Sequence, residues 1–308
     1  MEQTATPPAT VARLPDIAST PTLLVSDAWQ GGNESYRLID SGEGRKLEQV
    51  GPYLFDRPEP QCLWPKADAH QWTKADARFA AKDEEGEAGQ WIIKGKIPTA
   101  WELNYRKLPF YARLMNNRHI GFFPEQAAQW DEIVATITPG FKMLNAFAYT
   151  GLLSLLAAQA GADVTHVDAS KKAIEWGKEN AQLAGIDTVR WICEDARAFV
   201  AREGRRDKKY DGIVLDPPKF GRGPDGEVWE FFDHMPDLMR DAAAVLSDNA
   251  KFFIITGYSA RLSPRSLAEL LASHLGGRGG TVSYGECALP DKAGRCLSLN
   301  MYAKWARE

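Results

Sequence analysis

The sequence lacks any apolar run long enough to cross a membrane, and it carries no marked excess of charge of either sign. With 37 Lys and Arg against 41 Asp and Glu, the formal net charge is −4. This is not the basic excess that is usual in nucleic-acid-binding proteins, although a basic face can exist within an acidic total. The first 21 residues also lack the basic start and apolar middle of a secretory signal. We therefore expect no membrane partner and interpret residues 1–21 as a flexible tail.

Cysteine and histidine are scarce. The four cysteines include no C-x-x-C pair, and the five histidines include no H-E-x-x-H motif. Neither a disulfide framework nor a zinc site is expected, and we expect no bound metal. A reducing, cytoplasmic location is the simplest interpretation. The oligomeric state stays open.

The chain changes character near residue 120. Before it, residues 36–39 and 46–50 flank a glycine-containing turn and predict a hairpin, and further short strands follow. We expect a small β-rich N-terminal domain over residues 22–119. Its tryptophans could form a stacking surface or fill the core of a small domain, and we favour the core. They are Trp29, Trp64, Trp72, Trp91 and Trp101.

After residue 120, strands and helices alternate. Apolar stretches predict strands at 142–147, 164–167, 188–192, 212–215 and 251–255, with helices between them. Two last strands, at 281–287 and 297–304, have no helix between them and so form an antiparallel hairpin. The prediction is an α/β fold: a Rossmann-like, doubly wound, seven-stranded, mostly parallel sheet with a C-terminal antiparallel hairpin, over residues 120–308.

Polar residues follow three of the predicted strands, where a ligand binds in this architecture. The loop that ends in Gly151 lacks G-x-G-x-x-G and so favours a cofactor without phosphates. Asp168 comes 17 residues later and could hold a ribose diol or cap the next helix; the spacing favours the ribose. Asp195, after Glu194, could accept from an adenine amino group, or could be an N-cap.

The sharpest motif is Asp216-Pro217-Pro218-Lys219-Phe220, directly after an apolar strand. Two prolines stiffen this loop. Asp216 can then accept a hydrogen bond from a substrate amino or hydroxyl group, and Phe220 offers a ring for stacking. We interpret the five residues as the part of the site that faces the substrate.

The segments Asn145-Ala-Phe-Ala-Tyr-Thr-Gly151, Asp168-Ala-Ser-Lys-Lys-Ala173 and Asp216-Pro-Pro-Lys-Phe220 together resemble the bacterial 23S ribosomal RNA methyltransferases. That family includes a 5-methylcytosine enzyme and an N7-methylguanine enzyme. The resemblance covers residues 121–305 and implies a class I methyltransferase that uses S-adenosyl-L-methionine and acts on RNA. The implied cofactor residues are Glu125, Gln126, Asn145, Phe147, Tyr149, Thr150, Gly151, Asp168, Ser170, Glu194, Asp195 and Asp216. The implied catalytic residues, which would face the methyl acceptor, are Asp216, Pro217, Pro218, Lys219 and Phe220.

The sequence departs from this family in three respects, one of which is that the family's RNA-binding module is not recognisable before residue 120. Ala127 replaces the arginine that follows Glu125 and Gln126 in the family, and residues 256–259 lack the cysteine that the 5-methylcytosine enzymes use as a nucleophile. Cys193, Cys287 and Cys296 are interpreted as small packed residues. We therefore predict direct, in-line transfer to a nitrogen or oxygen. The alternatives are a small-molecule or protein methyltransferase, an NAD-linked oxidoreductase, and a cofactor-binding module without catalysis.

Overall fold

The computed structural model describes residues 13–26, 29, 35–83, 86, 88–258 and 262–307. Up to residue 112 it consists of strands with one short helix, which confirms the predicted β-rich character. The elements are β1 (Asp16–Ile17), β2 (Thr22–Val25), β3 (Tyr36–Gly42), β4 (Arg45–Val50), β5 (Tyr53–Pro58), α1 (Ala69–Trp72), β6 (Ala77–Ala81), β7 (Gly89–Ile93), β8 (Trp101–Tyr105) and β9 (Leu108–Ala112).

The second part begins with a 3₁₀ turn and then alternates helices and strands, as predicted. Its elements are the turn Pro124–Gln126, α2 (Ala127–Thr136), β10 (Lys142–Ala146), α3 (Leu152–Gln159), β11 (Asp163–Asp168), α4 (Lys171–Ala184), β12 (Arg190–Cys193), α5 (Ala196–Arg205), β13 (Gly212–Leu215), β14 (Phe220–Arg222), β15 (Val228–Glu230), α6 (Phe231–Ala244), β16 (Phe252–Gly257), α7 (Pro264–Ser273), β17 (Thr281–Pro290) and β18 (Cys296–Ala306). Helix α6 begins five residues before its expected start at Pro236, because buried Phe231 and Met235 hold the turn that precedes the proline.

The central sheet has the order β17-β18-β16-β13-β10-β11-β12. Neighbours from β16 to β12 are parallel, whereas β18 runs antiparallel to both β16 and β17. The seven-stranded sheet with its antiparallel hairpin is therefore confirmed. Strand β10 lies between β11 and β13, so the strand order reverses there. A ligand crevice is expected beyond the carboxyl ends of the strands at this point.

Two short strands from the start of the chain extend this sheet. Asp16–Ile17 and Thr22–Val25 pair in parallel with successive parts of β17. The prediction of a flexible tail is therefore wrong for residues 16–17, and residues 1–12 lie outside the described ones. Residues 22–25 likewise join the central sheet and not the N-terminal one. The cause is the open edge of β17, whose backbone groups need partners, and Gly285 leaves room for the backbone of Thr22.

The N-terminal strands form a five-stranded sheet, β3-β4-β5-β6-β7, and a separate β8-β9 hairpin. The hairpin is attached to α4: the backbone N–H of Tyr111 donates to Asn180 Oδ1 (2.9 Å), and Trp176 Nε1 donates to the carbonyl of Tyr111 (3.2 Å). One apolar core continues from this hairpin into the central sheet. The N-terminal part is thereby packed directly against the helices that carry the second part.

The five N-terminal tryptophans belong to the core, as predicted. Trp29 and Trp101 are buried in the main core, and Trp64 and Trp91 are partly buried against it. Trp72 is buried in a separate small apolar cluster of the N-terminal part. The indole N–H of Trp29 donates to the carbonyl of Pro124 (3.0 Å), which joins the N-terminal part to the 3₁₀ turn. Their rings stabilise the fold and are not presented as a stacking surface.

Candidate active site

A cavity of about 600 Å³ lies beyond the carboxyl ends of the parallel strands. Its size falls within the usual range for small-molecule sites. The predicted site residues that line it are Glu125, Gln126, Phe147, Tyr149, Asp168, Ser170, Asp195, Asp216, Pro217, Pro218, Lys219 and Phe220. Loops that are far apart in the sequence therefore meet at one place, because parallel strands deliver their carboxyl ends to the same edge of the sheet.

The loop after β10 has an unusual backbone. Phe147 and Tyr149 adopt φ angles of 57° and 52°, in the left-handed region that most side chains avoid. Gly151 follows with φ of 85° and is the N-cap of α3, where an added Cβ would meet the ring of Trp191 at 3.0 Å. Strained residues of this kind persist where the surroundings hold them, and they cluster at functional sites.

Asp168 is held by this loop and by the next helix. Its Oδ2 accepts from the backbone N–H of Tyr149 and its Oδ1 from that of Ser170, both at 2.8 Å. Burial raises the pKa of Asp168 above its usual value. Each oxygen keeps a second lone pair, so a carboxylate fixed in this way can still accept from a ribose diol.

Of the two roles left open for Asp195, the structure shows the helix cap. Asp195 is the N-cap of α5: Oδ1 accepts from the backbone N–H groups of Arg197 (2.9 Å) and Ala198 (3.1 Å). It also lines the cavity. The capping role is observed, and the adenine contact stays a prediction.

Four predicted cofactor residues, Asn145, Thr150, Gly151 and Glu194, are not among the residues that line the cavity, and their contact with the cofactor stays a prediction. Asn145 donates from Nδ2 to Ser154 (2.9 Å), and Thr150 donates from Oγ1 to the carbonyl of Gly121 (2.6 Å). Gly151 supplies the left-handed turn, and Glu194 pairs with Arg202. The first three support the cavity wall from behind because their side chains or backbone face the packed interior, whereas Glu194 is drawn away to an arginine on α5.

The carboxylate of Asp216 is positioned on both sides. Gln126 donates from Nε2 to Oδ2 (2.8 Å), and the hydroxyl of Thr256, on β16, donates to Oδ1. Burial raises the pKa of Asp216 above its usual value. The family-like Gln126 thus acts on Asp216, and Thr256 is a positioning residue that the sequence did not single out.

The rest of the Asp216 loop runs into a small hairpin that was predicted only as loop. Strand β14 begins at Phe220 and pairs with β15. Trp229 of β15 donates from Nε1 to the carbonyl of Pro218 (2.6 Å) and packs against Phe147, with 4.9 Å between ring centroids. Phe220 is left 53% exposed at the mouth of the cavity. The hairpin therefore closes the cavity with Trp229 and presents Phe220 outward.

Sequence reasoning missed several lining residues, which come from segments without a recognisable motif. They include His119, Phe123, Trp229, Tyr258 and Asn300. The phenol of Tyr258 accepts a hydrogen bond from Arg118, a buried residue that follows the N-terminal hairpin. We call the part lined by Phe147, Tyr149, Asp168, Ser170 and Asp195 the cofactor end. The part lined by residues 216–220, Tyr258 and Asn300 is the acceptor end.

The cysteines only partly match their interpretation as packed residues. Cys62 and Cys287 are buried, but Cys193 and Cys296 are exposed, so that prediction is wrong for these two. Both lie at strand ends, where packing does not enclose a side chain. Among the described residues, no cysteine lines the cavity. Of the stretch 256–259, which carries no cysteine, residues 256–258 are described and Ser259 lies outside the described residues.

Glu125 is a buried acid at the boundary of the two parts. Burial raises its pKa to about 7. Lys46, Glu48 and Arg57 lie nearby, but Arg57 is engaged by Glu48 through two hydrogen bonds of 2.6 and 2.7 Å. Burial disfavours the charged form of Glu48, yet Arg57 and Lys46 lower its pKa to about 2. The nearby positive charge therefore stabilises Glu48 more than Glu125.

Four acids line the cavity, Glu125, Asp168, Asp195 and Asp216, and two basic residues, Lys219 and Arg222, line it as well. The carboxylates attract a cation. A sulfonium cofactor with a ribose and an adenine is compatible with these groups, and the contacts of Asp168 with the ribose and of Asp195 with the base stay predictions.

No helix in the described part of the chain is long and apolar enough to cross a membrane. Among the same residues there is no group of three or more His, Cys, Asp or Glu side chains that could hold a metal ion.

Comparisons with known proteins agree with this geometry. A family model described as S-adenosylmethionine-dependent methyltransferase matches residues 65–246. The crystal structure of a SAM-dependent methyltransferase from Agrobacterium tumefaciens is 41% identical, with a TM-score of 0.89 and coverage of 100% of this chain and 98% of that one. Ribosomal RNA large subunit methyltransferase I from Aeromonas salmonicida is 28% identical over 52% of this chain and 40% of its own length. The same-named protein of Escherichia coli is 25% identical over 63% of this chain and 53% of its own length.

The chain thus spans about half or less of the length of these two curated relatives. The Agrobacterium tumefaciens structure, in contrast, matches it from end to end. The match to the family model covers more than half of the chain and includes the loops that carry Asp168, Asp195 and Asp216. The chain therefore belongs to the S-adenosylmethionine-dependent methyltransferase family.

Proposed function

We propose that this enzyme methylates a nitrogen atom of a base in large-subunit ribosomal RNA, by direct in-line transfer. The observation that carries the proposal is the fixed Asp216 carboxylate, held by Gln126 and Thr256 in the same cavity as Asp168. The names of the curated relatives support RNA as the substrate.

Bound S-adenosylmethionine supplies an electrophilic methyl group, so the protein mainly has to position two partners. Asp168 and Asp195 would hold the nucleoside at the cofactor end. Asp216 would accept a hydrogen bond from the attacking N–H group and orient its lone pair. Because burial raises the pKa of Asp216, its carboxylate is also a better proton acceptor than an exposed one.

Nitrogen is favoured over carbon because attack by a ring carbon needs a covalent nucleophile. The cysteines of the described chain do not line the cavity, and Tyr258 lies in the stretch where the related enzymes carry theirs. A small molecule or a protein is the remaining alternative as acceptor. The missing G-x-G-x-x-G motif and the match to the methyltransferase family model count against an NAD-linked oxidoreductase, and the fixed Asp216 counts against a module that binds cofactor without catalysis.

The proposal assigns the N-terminal part, up to residue 119, to substrate binding. His119 is the last residue of this part, and Phe123 follows it closely. Both line the cavity, so a substrate that enters the acceptor end passes close to the N-terminal part. A cytoplasmic location fits an enzyme of ribosomal RNA and stays a prediction.

The test uses purified protein, labelled S-adenosylmethionine and unmodified transcribed 23S rRNA, followed by nucleoside analysis. We expect one N-methylated nucleoside. Asp216→Asn should lower kcat by about 100-fold, the loss of a positioned proton acceptor, while S-adenosylhomocysteine binds within about threefold of wild type. Asp237→Asn, on the exposed side of α6, is the matched control. Unchanged kcat in Asp216→Asn, or 5-methylcytosine as the product, would contradict the proposal.

Calorimetric titration with S-adenosylmethionine, S-adenosylhomocysteine and NAD tests the cofactor separately. Binding of the first two without NAD is the expected result. Preferential binding of NAD would contradict the proposal and support the oxidoreductase alternative.

A further inference from the structure

Asn300 is a buried amide at the acceptor end with a role that the methyl-transfer proposal leaves open. It lies on β18, is 6% exposed, and lines the cavity. A buried polar side chain of this kind is normally satisfied by partners. The partners of its two polar atoms therefore indicate which kind of ligand the cavity binds.

The oxygen and nitrogen of Asn300 can be told apart by their contacts. The backbone N–H of Gly257 donates to Oδ1 (3.1 Å), and a backbone N–H can only donate, so Oδ1 is assigned by the bond it accepts. Nδ2 then carries two N–H donors. Within the described part of the chain, no protein group accepts a hydrogen bond from Nδ2. The donors are left for an occupant of the cavity.

Asn300 and Asp216 lie on the two sides of one strand end. Asp216 follows β13, Asn300 is on β18, and β16 runs between them, bonded to the first through Thr256 and to the second through Gly257. Asp216 lies level with Thr256, which pairs with Tyr302, so Asn300 is two residues farther along the sheet. Two strand spacings and this two-residue rise separate the backbones of Asp216 and Asn300 by about 12 Å. Two side chains, each with a hydrogen bond of about 2.9 Å, can span that distance around one planar group.

We propose that Asn300 determines acceptor specificity: it donates to a carbonyl oxygen or an unprotonated ring nitrogen adjacent to the N–H group that is methylated, while Asp216 accepts from that N–H. The inference rests on the proposed function and names its substrate class. That class is a planar ring in which an N–H group lies beside a carbonyl oxygen or an unprotonated ring nitrogen, as on the Watson–Crick edge of a base. The lone pair of the attacking nitrogen forms a bond to the methyl carbon as the carbon–sulfur bond breaks. The electron pair of the broken bond goes to sulfur, and the N–H proton passes to Asp216. Guanine N7, cytosine C5 and the ribose hydroxyl lack this pattern.

Two small probes test the pairing without RNA. 4-Aminopyrimidine has an amino group beside a ring nitrogen, whereas aniline has the amino group alone. The affinity of each probe for the S-adenosylhomocysteine-saturated enzyme is measured by NMR titration at pH 8. It should favour 4-aminopyrimidine by about 10-fold, which corresponds to about 1.4 kcal/mol and lies within the range of one buried hydrogen bond. Both variants remove the N–H donors of Asn300. Asn300→Asp keeps an oxygen that accepts from the backbone N–H of Gly257 but adds a charge, whereas Asn300→Ala adds no charge. Both should abolish the preference, and Ser298→Ala, on the same strand outside the cavity lining, should keep it.

The readout is the ratio of the two affinities, because a purely structural role of Asn300 would weaken both probes equally. An unchanged ratio in both Asn300 variants, or no preference in the wild type, overturns the inference. In the RNA assay, an N7-methylguanosine or ribose-methylated product would overturn it while leaving RNA methylation established. No methylation of RNA with the probe ratio intact would instead remove RNA as substrate and keep the role of Asn300.

Discussion

Replacing Glu125 with glutamine should change how the stability of the protein depends on pH. Burial raises the pKa of this carboxyl from 4.5 to about 7. Between these values the folded protein keeps a proton that the unfolded chain loses. Because the folded pKa is the higher one, this contribution to stability is fully present below pH 4.5 and is lost as pH rises through 7. At about 1.4 kcal/mol per pH unit, the loss is about 3 kcal/mol.

Glu125→Gln keeps the size of the side chain and removes the titration. The unfolding free energy of the variant, relative to wild type, should therefore rise by about 2–3 kcal/mol between pH 5 and pH 8. Urea unfolding followed by circular dichroism at pH 5, 6, 7 and 8 measures this difference. Glu175→Gln, at an exposed position of α4, is the matched control and should show a difference within about 0.5 kcal/mol throughout.

A pH-independent difference for Glu125→Gln would refute the reasoning. It would mean that the desolvation of Glu125 is offset in the folded state, most directly by Lys46 or Arg57. A difference of the opposite sign would mean that these two cations stabilise the carboxylate more strongly than burial destabilises it.

Three further predictions concern the cofactor end and its support. Burial lowers the pKa of His166 to about 3, so the unfolding free energy of the wild type relative to His166→Gln should fall as pH drops below 6.5, by about 2 kcal/mol at pH 5, in the same urea series. Asp168→Asn should weaken S-adenosylhomocysteine binding about 10- to 100-fold by calorimetry; a change below threefold would exclude a ribose contact. Gly151→Ala should cost about 1 kcal/mol more unfolding free energy than Gly185→Ala. Both glycines are left-handed, but only at Gly151 does the added Cβ meet Trp191, so equal costs would contradict this account.

Local patterns predicted most of the fold because their causes are local. The Ser170 hydroxyl accepts from the backbone N–H of Ala173 (3.3 Å) and Gly185 closes the same helix, as their residue types indicate. Strand β16 is buried throughout and is read from its apolar run. The start of the chain was misjudged because Asp16–Ile17 has no strand-like pattern of its own; it becomes a strand by pairing with the open edge of β17.

The sequence by itself determined the alternation of strands and helices, the acids at the strand ends, and the absence of a cysteine after β16. These follow from residue type, periodicity and spacing along the chain. Only the tertiary structure decided that Gln126 and Thr256 both bind Asp216, that Glu194 turns away from the cavity, and that Asn300 faces it. The physical reason is that the contacts of Asp216 join residues 40 and 90 positions apart, and that the direction of Glu194 and Asn300 depends on side-chain packing, which no local pattern records.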